Sequence, residues 1–138
     1  MTADTLAGTH AIPVTWLERY RRAWIDRDAD AAAALFAADA VYREQAFQAP
    51  FSGREAIRQY WATVTATQRD VELRYGTPVV EGRRLAVEWW ANLLNDKAAV
   101  TLAGEFMLVF GDDGLCRELR EYWVLTEGRL EPPAGWGA

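Results

Sequence analysis

The chain has 138 residues, 51% of them hydrophobic and 25% charged, the balance of one globular domain with its own core. At that length about two-thirds of the unfolded surface can be buried, so stability requires neither a metal nor disulfides. The net charge of −5 argues against a nucleic acid or a membrane surface as partner, since both reward a basic face, and leaves small molecules and proteins.

Residues 1–12 show no periodicity and read as a flexible arm. Their order is not that of a signal peptide, and no apolar run in the chain reaches the roughly 18 residues of a membrane span, so a cytoplasmic location is expected. Thr15 and Glu18 have capping-box spacing, and Trp16, Leu17, Tyr20, Ala23 and Trp24 fall on one face, predicting a helix over about 14–27. Asp30 can cap a second short helix through the alanines that follow, held by Leu35 and Phe36. Residues 40–45 alternate as a strand, and Ser52 with Glu55 opens a third helix over about 53–66 that buries Ile57, Tyr60, Trp61 and Val64. The rest reads as β: 71–77, 79–80, 85–94, 99–110 and 116–125, with turns at Asn95-Asp96 and Gly111–Gly114. The Gly- and Pro-rich end from Glu127 reads as a loosely attached tail.

One α+β domain over 13–126 results, between the arm (1–12) and the tail (127–138). Helices followed by a long antiparallel meander imply a curved sheet wrapped around helices packed on one side, a cone with an open end. Seven tryptophans must each be buried, paired or used to line something. The single cysteine, Cys116, has no disulfide partner, and the single histidine, His10, leaves no Cys/His metal site. No phosphate-binding or dinucleotide glycine loop precedes a helix, so no cofactor is indicated.

Residues 20–44 (YRRAWIDRDADAAAALFAADAVYRE), 51–61 (FSGREAIRQYW) and the strand LREYWVL resemble the SnoaL-like and ketosteroid-isomerase-like superfamily, also called nuclear transport factor 2-like, over about 14–125. The resemblance implies three N-terminal helices packed in the concave face of a strongly curved antiparallel or mixed sheet, the cystatin-like cone. It also implies that Tyr20 stands where the steroid isomerases keep an oxyanion donor and Glu44 where they keep the proton-moving carboxylate. Phe106 replaces their second, acidic donor, which counts against steroid isomerisation itself. With Glu44 facing inward, alternation along its strand sends Tyr42 to the same side, and the resemblance implies that Trp89, Phe106, Leu119, Glu121 and Trp123 of the later strands face it too. Together with Trp24, Phe47 and Trp61 they make an aromatic, ligand-binding chamber holding two carboxylates. The superfamily's epoxide hydrolases need an inward arginine that this chain lacks.

The expected function is therefore cofactor-independent proton transfer on a hydrophobic carbonyl compound, of isomerase, cyclase or dehydratase type. Glu44 would be the base, Tyr20 the donor and Glu121 a second acid, unless arginines pair with the carboxylates. The alternatives are a non-catalytic binder of an apolar or aromatic ligand and a dimeric interaction domain. Trp90, Met107 and Tyr122 on the outer face suggest a contact surface, and the resemblance implies a homodimer through it.

Overall fold

The computed structural model describes residues 3–138, with side chains from Val14 onward. Helix α1 (Ala3–Ile25) begins within the expected arm and runs unbroken into the turns that pack on the sheet. Thr15 and Glu18 are thus exposed residues inside the helix and cap nothing. Its apolar face lies on the sheet: Trp16 packs edge-on against Phe36 and Phe110, and Tyr20 against Phe106. Asp28, two residues before the expected cap, accepts the Ala31 amide at 3.0 Å and starts the short α2 (Ala29–Ala33). Phe36 accordingly opens strand β1 (Phe36–Arg43) and is no part of a helix.

After β2 (Phe51–Ser52), helix α3 (Arg54–Thr65) starts from Gly53, whose φ of 90° is open to glycine at little cost. The expected Ser52/Glu55 box does not form, since Ser52 pairs with Val41 and Glu55 bonds Arg58. The remaining strands are β3 (Gln68–Tyr75), β4 (Val79–Glu81), β5 (Arg84–Asn95), β6 (Ala98–Phe110) and β7 (Cys116–Glu127). Their order is β2-β1-β7-β6-β5-β3, with β4 pairing the first residues of β5, on the side away from β6 that β3 covers farther along. Only the β1–β7 pairing is parallel, so the curved sheet is mixed. Asp96 and Lys97, at φ of 49° and 70°, make the β5–β6 turn one residue later than expected.

Two features of the sheet decide which side chains reach its concave side. In register, Trp89 of β5 lies opposite Gly104 of β6, which lies opposite Trp123 of β7. A Cβ at Gly104 would stand 2.6 Å from the Trp89 ring, so the glycine is what lets that indole lie across β6. In β3, Asp70 has φ of 54° and the register slips between Arg69 and Glu72, a bulge that reverses the facing of residues before it.

The tail is not loose. Thr101 Oγ1 bonds Gly128 O at 2.8 Å, and Trp90 and Asn92 both donate to Leu130 O. Trp136 packs edge-on against Trp90, with centroids 5.8 Å apart. Thr77 N donates to Gly137 O at 2.8 Å, and Gly76 and Gly137 approach so closely that a Cβ on Gly76 would meet Gly137 Cα at 2.7 Å. The tail thus crosses the outer face of β3, β5 and β6. Of the three residues expected to form an exposed outer patch, Trp90 lies half-buried beneath the chain's own tail and Met107 is half-buried; Tyr122 alone is exposed. Among the described residues no helix is long and apolar enough to cross a membrane.

Candidate functional site

The inward phase of the long strands follows their pleat. Val87, Trp89, Ala91 and Leu93 of β5 are buried, as are Phe106 and Leu108 of β6 and Leu119 and Glu121 of β7. Between this surface and helices α1 and α3 lies a cavity of about 310 Å³. Tyr20, Trp24, Tyr42, Trp61, Trp89, Glu121 and Trp123 all line it, so most of the ring-bearing residues expected there do meet. Trp24 forms the hinge of the aromatic wall, standing edge-on to both Trp61 and Trp89.

Four expected residues lie elsewhere. Glu44 follows the last residue of β1, where the chain leaves the sheet, and stays outside the lining. Its main-chain carbonyl accepts the Trp123 indole at 2.9 Å, and its half-buried carboxyl is raised by burial. Phe47, in the loop after Glu44, is fully exposed and touches no cavity. Phe106 and Leu119 are fully enclosed in the core beneath the cavity, Phe106 stacked on Trp89 with centroids 5.4 Å apart.

Glu121 is the carboxylate the cavity contains. It is 8% exposed, and Phe106 is its cross-strand neighbour. Tyr42 donates its hydroxyl proton to Glu121 Oε1 at 3.3 Å, and the Tyr20 and Tyr42 hydroxyls are 3.0 Å apart. A hydroxyl has one proton. While Tyr42 donates to the carboxylate, Tyr20 must donate to Tyr42, so Tyr20 is spent within the chain of three. Burial pushes the Glu121 carboxyl up to about 8, the nearby Glu44 charge adds to this, and the Tyr42 bond opposes it. No ion pair among the described residues includes Glu121 or Glu44, and no Lys, Arg or His lines the cavity. Glu121 is thus a carboxylic acid able to change its charge near neutral pH. No cluster of His, Cys, Asp and Glu among the described residues could hold a metal ion.

Further polar residues join the lining beyond the expected site residues, among them Tyr60 and Gln68. Tyr60 belongs to the α3 face that continues through Thr63 and Val64, a helical spacing that marks them together. Gln68 has no such signal, because the β3 bulge turns it inward against the alternation of Val71, Leu73 and Tyr75.

A family model described as a SnoaL-like domain matches residues 17–119. No curated protein matches the chain. Among solved structures, the epoxide hydrolase/cyclase-like enzyme SalBIII, with a role in pyran ring formation in the polyether salinomycin, is similar at 19% identity. Its TM-score is 0.71, over 83% of this chain and 94% of that one. A protein of ketosteroid-isomerase-like fold from Catenulispora acidiphila DSM 44928, in complex with trimethylamine, is 21% identical, with a TM-score of 0.70 over 78% and 83% of the two chains. A Mycobacterium tuberculosis epoxide hydrolase of the LEH-like kind is 18% identical, with a TM-score of 0.70 over 83% and 84%. With most of its length matched by the family model, and with the cone and cavity in place, the chain belongs to the SnoaL-like domain family.

Proposed function

We propose that the protein is a cofactor-independent enzyme that moves a proton on a hydrophobic carbonyl compound, with Glu121 as the group that carries the proton. The observation that supports this most is a buried carboxyl without a cationic partner, in an aromatic cavity and poised near pH 8. Ionised, it can take a proton from carbon beside a carbonyl; neutral, it can return the proton to a neighbouring atom. The Tyr20–Tyr42 pair steadies the ionised form through one oxygen and leaves Oε2 without a partner among the described residues. Glu44 acts from outside the lining, through its charge.

β-Tetralone is a suitable probe, being neutral, aromatic and acidified at its benzylic carbon. In D2O the protein should speed deuterium uptake at that carbon, read by proton NMR, with a rate that rises with pH and levels off above about pH 8. Glu121→Gln should abolish the enzyme-dependent exchange and Glu44→Gln should keep most of it. Exchange unaffected by Glu121→Gln would end the assignment.

The same lining favours a second reading, in which the cavity holds an organic cation against its aromatic rings and Glu121 without turnover. Tetramethylammonium would then bind more tightly as pH rises and Glu121 ionises; a pH-independent or absent affinity would remove this reading.

A further inference from the structure

The structure assigns the substrate's oxygen to Gln68: we infer that the Gln68 amide N–H group is the fixed donor that holds a neutral carbonyl oxygen in the cavity. This rests on the proton-transfer reading of the same site. An indole N–H can only donate, and Trp24 Nε1 donates to Gln68 Oε1 at 2.7 Å. That bond settles which end of the amide faces Trp24 and leaves the NH2 end to the cavity that Gln68 lines. The residue is 8% exposed, and Nε2 has no partner among the described residues. It differs from the indole nitrogens of Trp61 and Trp89, which have no partner among the described residues but are fully enclosed and out of a ligand's reach.

The other candidates are weaker donors. Tyr20 gives its proton to Tyr42 while Tyr42 serves the Glu121 carboxylate. The Tyr60 hydroxyl has no partner among the described residues, but it belongs to a half-buried side chain and turns about its C–O bond. Among the described residues Glu121 is the one acidic group of the lining and no basic residue stands beside it, so nothing there would compensate the charge of a ligand carboxylate. The chemistry therefore selects a neutral ketone or aldehyde on an apolar frame. Its α-proton would pass to Glu121 while the oxygen, gaining negative charge as the enolate forms, is held by Gln68. Proton return to the enolate restores the neutral ligand, so the step balances without a co-reactant.

The test compares β-tetralone with 2-methylidenetetralin, in which a CH2 group replaces the oxygen, using tryptophan fluorescence to follow binding and deuterium exchange to follow turnover. Wild type should bind the ketone about three- to tenfold more tightly than the hydrocarbon, the worth of one hydrogen bond. In Gln68→Met that preference should vanish, with KM for the ketone rising by about the same three- to tenfold, and kcat for exchange should fall further, about a hundredfold. The double variant Trp24→Phe/Gln68→Met, which leaves no unpaired indole at position 24, should behave the same way and serves if the single variant does not fold. Equal binding of the two probes by wild type would overturn the inference. So would a preference that survives both Gln68 variants, or one that Tyr60→Phe abolishes and Gln68→Met does not. Exchange that needs Glu121 but ignores Gln68 would overturn the Gln68 assignment and leave the proton-transfer reading standing. The binding preference is read without turnover, so it judges Gln68 even if exchange fails.

Discussion

Replacing Glu121 by Gln should change how stability depends on pH, because the folded protein holds this carboxyl in its neutral form. The step from the ordinary 4.5 to about 8 spans roughly 3.5 pH units. At about 1.4 kcal/mol per unit, ionising Glu121 costs the folded state on the order of 5 kcal/mol, an upper figure that water entry or relaxation of Trp123 would reduce to about 2. The direction follows from a folded value raised above the unfolded one. The stabilisation is complete below about pH 4.5, declines as pH rises, and is lost by about pH 8. Gln cannot ionise and keeps the hydrogen-bonding shape, so Glu121→Gln should show no such decline. Urea unfolding at intervals from pH 4 to pH 9 measures both proteins. The variant should gain on wild type by up to about 1.4 kcal/mol per pH unit through the middle of the range, reaching about 2 to 5 kcal/mol in its favour at pH 9. Two curves that run parallel over that range would refute the claim that Glu121 is buried without a compensating charge.

Three further outcomes rest on the same geometry. Tyr42→Phe removes the bond that lowers the Glu121 carboxyl, so the pH at which deuterium exchange is half-maximal should move upward and the rate at pH 7 should fall. Gly104→Ala would drive a methyl into the Trp89 ring; denaturant unfolding should show a loss of about 1 to 3 kcal/mol, and ketone binding should weaken as that indole is displaced. Trp136→Ala should cost about 1 to 2 kcal/mol by removing the edge-on partner of Trp90. We propose that any homodimer uses the part of the outer face around Tyr122 that the tail leaves open; sedimentation of Tyr122→Glu should then show monomer, with wild type dimeric.

Much of the fold was legible because its elements carry strong periodic signals. The face of Trp16, Tyr20 and Trp24 specified the packing of α1, and the alternation of Val87, Trp89, Ala91 and Leu93 specified which side of β5 is buried. Local signals failed where tertiary context outweighed them. Thr15 with Glu18 and Ser52 with Glu55 have capping spacing, yet one pair lies inside a longer helix and the other is divided between a strand pairing and an arginine. The tail is rich in Gly and Pro, but those residues permit the close approach of Gly137 to Gly76 and bring Trp136 onto Trp90.

The site was legible in composition more than in position. The rings that form the cavity wall could be named from strand and helix phase. The division of labour between two carboxylates could not, because it depends on Glu44 lying just past the end of β1 while Glu121 sits within β7 opposite Phe106. Gln68 was hidden for a related reason: the bulge at Asp70 reverses the pleat, and a strict period of two carried back from Val71 points it outward.

The most direct measurement is the titration of Glu121 itself, by carbon-13 NMR of the side-chain carboxyl in protein labelled at glutamate, its signal assigned by its disappearance in Glu121→Gln. A midpoint near 8, moving lower in Glu44→Gln as the neighbouring charge is removed, is the expected result. A midpoint near the ordinary 4.5, unmoved by Glu44, would mean that Glu121 is a solvated carboxylate like any other and has no part in proton transfer.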